Sequence, residues 1–163
     1  MENAIIVNPA QSKNELYESV IPQIESLMRG ETDATANLSN VAAALKMTFP
    51  YYSWVGFYFW KKGELVLGPF QGKPACVRIQ AGRGVCGTSF QSKKTLVVPD
   101  VDKFPGHIAC DPDSRSEIVI PLLRNGGAIG VLDVDSAAPG SFDEDDRQYL
   151  EQLASIIVLQ SGI

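Results

Sequence analysis

The chain has 163 residues, 45% of them hydrophobic and 20% charged, with a formal net charge of -5. This length and composition are typical of a globular domain whose core needs no metal or disulfide for stability. An acidic balance without a lysine- or arginine-rich stripe argues against a nucleic-acid partner. No apolar run approaches the roughly 18 residues of a membrane helix, and residues 4–7 are too short for a signal core. We therefore expect a cytoplasmic protein with no membrane partner.

Two helices are predicted first along the chain. Apolar residues recur at helical spacing over residues 13–29 and stop before Gly30. Thr32 or Asp33 can cap a second helix that runs to about Met47.

The rest of the chain has mainly the character of strands. Residues 53–60 and 64–67 predict one hairpin, and residues 117–123 and 128–135 predict another around Asn125-Gly126-Gly127. Further strands are expected at 75–79 and 95–98, with a short helix at 84–92 and a long polar loop at 100–114. A capping box at residues 141–144 starts the last helix. This order predicts an α+β fold with an antiparallel sheet, in one domain covering residues 1–163.

Three cysteines are the first candidates for chemistry. Cys110 lies in the long loop, where a thiol can be exposed enough to act as a redox nucleophile; a small packing residue under the loop is the equal alternative. Cys76 stands at a strand start, from which a second thiol could approach that loop. Cys86, between two glycines on a turn into a helix, is more typical of a buried packing thiol. An odd number of cysteines predicts free thiols rather than a fixed disulfide framework.

Two other kinds of site are disfavoured. His107 and the cysteines could supply four zinc ligands, but no C-x-x-C pair is present, so we expect no metal. A serine hydrolase is less favoured still, because His107 is the only histidine and no G-x-S-x-G motif occurs.

Carboxylates form the second candidate cluster. Asp133 and Asp135 alternate with apolar residues, so both point to one face of their strand. A three-residue loop at 125–127 would set Glu117 opposite Asp135 on that face, whereas a two-residue turn would send Glu117 to the other face. A solvent-facing polar stripe is the alternative. The interior position favours function, with one carboxyl holding a proton at neutral pH.

Several segments carry a resemblance to a known family. They are SWVGFY from Ser53, LVLGPFQGKPACVRI from Leu65, GRGVCGTS from Gly82, VPDVDKFPGHIACD from Val98, SRSEIVIPL from Ser114 and GVLDVDS from Gly130. In these segments the sequence resembles the GAF-domain free methionine-(R)-sulfoxide reductases. Generic GAF domains share the strand layout but not this set of cysteines.

The resemblance implies a GAF-like, six-stranded antiparallel sheet flanked by helices, with a ligand pocket over one face. On the matching positions Cys110 would be the catalytic cysteine, Cys76 the resolving cysteine and Cys86 a third, assisting thiol. The same resemblance makes Trp54, Glu117, Asp133 and Asp135 the residues that hold the substrate.

The activity implied is reduction of free L-methionine-(R)-sulfoxide. Cys110 would attack the sulfoxide and become a sulfenic acid, and Cys76 would then form a disulfide with it. Thioredoxin is the implied reductant, and no organic cofactor or metal is implied. The N-terminal helices offer a surface through which two copies could pair as a homodimer. The alternatives are a stand-alone GAF module that senses a small ligand and a redox-sensing module, neither of which turns over a substrate.

Overall fold

A computed structural model of the chain describes residues 4–163. These residues form four α-helices, a short 3-10 helix and six strands. The helices are α1 (Lys13–Met28), α2 (Ala34–Thr48), α3 (Gly84–Ser92) and α4 (Glu144–Gln160), and the 3-10 helix spans Val101–Lys103. The strands are β1 (Trp54–Lys61), β2 (Glu64–Gln71), β3 (Arg78–Ile79), β4 (Leu96–Val98), β5 (Ser116–Arg124) and β6 (Gly127–Ser136). All form one sheet in the order β3-β2-β1-β6-β5-β4, with every neighbouring pair antiparallel. The predicted α+β fold with a six-stranded antiparallel sheet is confirmed.

Side chains that alternate along the strands divide the interior into two cores. On one face of the sheet, residues such as Val55, Phe57 and Val134 pack against α1, α2 and α4. On the other face, residues such as Trp54 and Tyr58 pack against α3 and the loops around it. Because neighbouring residues of a strand point to opposite faces, each central strand contributes to both cores.

Side chains at the N-termini fix where three of the helices begin. Asp33 caps α2 through its bond from the backbone N–H of Ala36, and Ser12 forms a capping box with Glu15 at the start of α1. The capping box of α4 joins Asp143 to Asp146, so the predicted box at residues 141–144 was wrong by two positions. An Asp at the N-cap supplies the same acceptor for free N–H groups that a Ser would.

Two strands differ from the predicted bounds by more than one residue. β2 continues to Gln71 because a bulge between the Gly56 and Tyr58 pairings accommodates Gly68-Pro69, a dipeptide that is typical of turns. β3 is limited to Arg78–Ile79, so Cys76 lies in the preceding loop rather than at a strand start.

The β5–β6 hairpin has a two-residue turn, Asn125-Gly126, the shorter of the two alternatives that the sequence left open. Arg124 pairs with Gly127, but the register shifts between Leu122 and Leu123, where Ile129 is left unpaired as a bulge. The extra residue restores the register that the longer loop would have produced. Glu117 consequently faces Asp135, the arrangement expected from the longer loop, although the turn has only two residues.

Among residues 4–163, no helix combines the length and apolar character needed to cross a bilayer.

Candidate active site

A cavity on the α3 face of the sheet brings together most of the predicted site residues. It is lined by Trp54, Cys86, Cys110, Glu117, Asp133 and Asp135. Trp54, Asp133 and Asp135 come from the central strands β1 and β6, Glu117 comes from β5 and Cys86 from α3. Cys110 reaches the cavity from the loop that precedes β5. Residues far apart in sequence therefore meet at the centre of the sheet.

Cys76 and Cys110 are joined by a disulfide, with their Cα atoms 5.3 Å apart. Cys110 lines the cavity, whereas Cys76 lies outside its wall on the loop before β3. The Tyr58 hydroxyl, which belongs to the cavity wall, donates a hydrogen bond of 2.9 Å to the Cys76 carbonyl. The structure thus shows an oxidised pair in which one sulfur-bearing residue faces the cavity and the other stands behind it.

The carboxylates form a buried cluster on one face of the β5–β6 ladder. Glu117 and Asp133 are each 6% exposed. Burial raises the pKa of Glu117 well above its ordinary range, and the neighbouring Asp133 and Asp135 raise it further. Burial also raises the pKa of Asp133, to about 6, and that of Asp135. The raised pKa values of all three groups favour the retention of a proton by the cluster, the state that the sequence predicted.

One atom of this cluster has no partner. Oδ1 of Asp133 is buried and accepts no hydrogen bond. By contrast, Oδ1 of Asp135 accepts a bond of 2.7 Å from the Ser114 hydroxyl. A buried acceptor without a donor is costly, and a ligand that brings N–H groups into the cavity would satisfy it.

Cys86 is the free thiol among the described residues, and it is buried. Its Sγ lies 3.9 Å from Oε1 of Glu117. Burial and the nearby Asp133 and Glu117 carboxylates raise the pKa of the thiol. The sulfur and one oxygen from each carboxylate lie within 4.8 Å of one another, a donor set that could hold a metal ion. The same three groups also lie close enough to hydrogen-bond to one another through the protons that they carry.

Trp54 closes one side of the cavity in a fixed orientation. Its ring stacks on Phe70, with centroids 5.3 Å apart. Its indole N–H donates to the Lys73 carbonyl at 3.1 Å. Glycine is required at Gly56 and Gly72, because a Cβ atom there would come within 2.6 Å of the Trp54 ring.

Tyr58, Ser114 and His107 are among the wall residues that the sequence did not single out as parts of this site. Tyr58 shares its face of β1 with Trp54 at a spacing of four, so strand alternation could have indicated it. His107 was considered only as a zinc ligand, yet its Nε2 lies 3.7 Å from Oε2 of Glu117. Burial lowers the pKa of His107 and raises that of Glu117, so both shifts disfavour an ion pair between them.

Comparison with known proteins agrees with this arrangement. The model of the GAF domain family matches residues 24–160. "GAF domain-containing protein A" of Dictyostelium discoideum is 58% identical over 147 residues, covering 90% of this chain and 92% of that protein. The free methionine-R-sulfoxide reductase of Escherichia coli is 47% identical over 144 residues, covering 88% and 87%. A solved structure of the Neisseria meningitidis free methionine-R-sulfoxide reductase in complex with its substrate superposes with a TM-score of 0.94 at 50% identity, covering 98% of this chain and 97% of that one.

The sheet order and the cavity over one face define a GAF domain, here carrying a cysteine pair and a buried carboxylate cluster. With identities of 44% to 47% over most of both chains, the protein belongs to the GAF-domain free methionine-(R)-sulfoxide reductase family.

Proposed function

We propose that this chain reduces free L-methionine-(R)-sulfoxide to methionine, with Cys110 as the nucleophile. The observation that carries the proposal is that Cys110 and the carboxylates line one cavity, while Cys76 is bonded to Cys110 from outside it. The names of the reductases to which the chain is 44% and 47% identical supply the substrate and its R configuration.

The free amino group of the substrate explains the acidic cavity. An ammonium group brings N–H donors and a positive charge to a cluster that contains the unpartnered Oδ1 of Asp133. Asp133 ionises near pH 6, which makes it a carboxylate for this pairing at neutral pH. In a peptide the same nitrogen is an uncharged amide, so a peptide-bound sulfoxide gains no ion pair. Trp54 would pack against the methyl end of the substrate.

The chemical step requires a proton on the leaving oxygen. The thiolate of Cys110 attacks the sulfoxide, the oxygen passes to the Cys110 sulfur, and methionine leaves as the reduced thioether. A carboxyl group that keeps its proton at neutral pH can hydrogen-bond to or protonate that oxygen. Glu117 and Asp135 are the candidates, because burial raises the pKa of both.

Recycling follows from the cysteine pair. The Cys76 thiol displaces the hydroxyl of the Cys110 sulfenic acid, which forms the disulfide and releases water. A dithiol donor then reduces the disulfide by two successive exchanges; thioredoxin is the donor we expect, and dithiothreitol can replace it in an assay. Cys86 would act as an assisting thiol that influences the protonation of the Glu117 carboxyl, which it contacts.

The test is substrate discrimination with dithiothreitol as donor. We expect turnover of the free (R) epimer, and none of the free (S) epimer or of N-acetylmethionine-(R)-sulfoxide, which lacks the ammonium. If the folded protein turned over none of these compounds, it would instead be a ligand-binding or redox-sensing module. Equal turnover of the free and N-acetylated compounds would overturn the assigned role of the carboxylates.

A further inference from the structure

Two loops must meet for the cysteine pair to close. The Cys76 loop comprises residues 72–77, between β2 and β3, and the Cys110 loop comprises residues 104–115, between the 3-10 helix and β5. Among the described residues, the direct polar contacts between these loops are the Cys76–Cys110 disulfide and the ion pairs of one side chain, Lys73. Apart from the disulfide, the Lys73 ion pairs are therefore the polar links between the two loops.

Lys73 is held firmly by its own backbone. Its carbonyl accepts the indole N–H of Trp54 at 3.1 Å, and Pro74 restricts the chain that follows. The backbone of Lys73 therefore has a fixed place beside Trp54, outside the residues that line the cavity, while its side chain reaches across to the other loop.

The far side of the contact is a pair of aspartates that flank Pro112. The Nζ atom of Lys73 lies 3.4 Å from Oδ1 of Asp111 and in closer contact with Asp113. The backbone N–H of Asp113 donates to Oδ1 of Asp111 at 2.9 Å, a local turn that presents both carboxylates to one cation. Asp111 immediately follows Cys110 in the chain.

The geometry points to Lys73 as a positioning residue that holds the Cys110 loop against the Cys76 loop and thereby speeds closure of the disulfide. The inference rests on the proposed function for its place in the reaction cycle. In the step concerned, the Cys76 thiol loses its proton and its sulfur attacks the sulfur of the Cys110 sulfenic acid. The S–S bond forms as the S–O bond breaks, and the departing hydroxide takes up the proton that the thiol released and leaves as water. The ion pairs and the disulfide each join the Cys76 loop to the Cys110 loop. Formation of the ion pairs therefore raises the effective concentration of one cysteine at the other, and the disulfide likewise favours the ion pairs.

The first experiment needs the two cysteines and no sulfoxide. Wild type and Lys73→Met are equilibrated in glutathione buffers, and the fraction of Cys76–Cys110 disulfide is measured by mass spectrometry. Because the Lys73 and Asp113 side chains are 58% and 63% exposed, we expect the effective concentration of the cysteine pair to fall by only about twofold to fivefold in Lys73→Met, the range for an exposed ion pair. Lys73→Arg should recover most of this effective concentration. Added salt should lower the effective concentration in wild type toward the value in Lys73→Met.

A matched set of variants separates the ion pairs from the lysine itself. Asp113→Asn should produce an intermediate loss because Asp111 still accepts the cation. The charge-reversed double variant, Lys73→Asp with Asp113→Lys, should have a higher effective concentration of the cysteine pair than either single variant. Equal effective concentrations in wild type and Lys73→Met at low salt would overturn the inference, as would a loss that Lys73→Arg does not recover.

The second experiment follows closure within the reaction. Reduced protein is mixed with one equivalent of free methionine-(R)-sulfoxide, and the lifetime of the sulfenic acid is measured with a trapping dione. We expect Lys73→Met to release methionine at the wild-type rate in this single turnover and to lengthen the lifetime by the factor found in the glutathione equilibrium. Methionine release slowed as much as closure would overturn the positioning role. If wild type reduced no sulfoxide, the proposed function would fail, and the glutathione result would still decide the role of Lys73.

Discussion

Glu117 faces Asp135 across the β5–β6 ladder, and Ile129 is the residue that makes this pairing possible. The two-residue turn alone would have set Glu117 opposite Val134 and turned it to the face covered by α1, α2 and α4. The bulge moves every later residue of β6 by one position, so that Glu117, Asp133 and Asp135 share the cavity face. A cluster of buried carboxylates thus depends on one unpaired residue about 6 positions from Asp135 along the strand.

Burying the ionised Asp133 costs folding free energy, so we predict that a neutral residue at this position stabilises the protein. Burial raises the native pKa of Asp133 from 3.8 to about 6. Between those values the native state holds a proton that the unfolded chain has released, so this group lowers stability as pH rises through the interval. Asp133→Asn removes that loss. We expect it to gain about 1 to 3 kcal/mol in free energy of unfolding at pH 7.5 and about a third of that gain at pH 4.5, and to lose substrate binding.

Urea unfolding of both proteins at the two pH values, under reducing conditions, measures this difference. A gain that is the same at both pH values would contradict the assigned protonation of the cluster.

For Asp146, another buried aspartate, we predict that replacement by Asn destabilises the protein. Its carboxylate accepts hydrogen bonds from the Tyr17 hydroxyl at 2.8 Å and the Tyr51 hydroxyl at 3.0 Å, and it pairs with Lys13 at 2.7 Å. Both its oxygens are satisfied by groups of α1, of the segment before β1 and of the N-cap residue Asp143. We expect Asp146→Asn to lose about 2 to 4 kcal/mol in urea unfolding and to keep the sulfoxide turnover of wild type where it remains folded. A loss below about 0.5 kcal/mol would show that the network adds little.

The two tryptophans provide a matched test of the cavity wall. Trp54→Phe removes the N–H that donates to the Lys73 carbonyl. It also replaces the two-ring indole that stacks on Phe70 with a single, smaller ring. Trp60 is 39% exposed and stacks on Phe90 outside the cavity. We expect Trp54→Phe to raise the KM for the sulfoxide by about threefold to tenfold, while Trp60→Phe changes it by less than about twofold. Steady-state kinetics with dithiothreitol measures both, and equal effects would remove Trp54 from the binding site.

Burial predicts that Cys86 is unreactive in the folded, oxidised protein. Its side chain is 4% exposed and its pKa is raised by burial and by Asp133 and Glu117. A chromogenic thiol reagent should therefore detect less than about 0.1 thiol per chain before denaturation and about one afterwards. The Cys86→Ser variant, which should show no thiol in either condition, identifies the source of the signal. Rapid labelling of the native protein would mean that Cys86 is accessible.

The sequence predicted the fold well where local chemistry decides it. Helix α3 has the predicted bounds 84–92, and the side chain of Asp33 caps α2 as expected. The errors lie at bulges and caps, where two local patterns compete. Gly68-Pro69 is typical of a turn, yet its neighbours on β1 keep it within the sheet through a bulge.

The site was predictable in part from alternation and in part only from resemblance. Asp133 and Asp135 were assigned to one face by strand period alone, and the structure agrees. No spacing rule could pair Cys76 with Cys110, because 34 residues separate them and the contact is made by loops. Ser114 and His107 were missed for the same reason, since a loop residue carries no periodic signal of the cavity it faces.

The central claim is that Cys110 attacks the sulfoxide and Cys76 resolves the product. A single turnover of reduced wild type, Cys110→Ser and Cys76→Ser with excess free methionine-(R)-sulfoxide and no added thiol tests it most directly. We predict one methionine and a Cys76–Cys110 disulfide from wild type, one methionine and a trapped sulfenic acid on Cys110 from Cys76→Ser, and no methionine from Cys110→Ser. Methionine released by Cys110→Ser would contradict the account and assign the attack to another thiol.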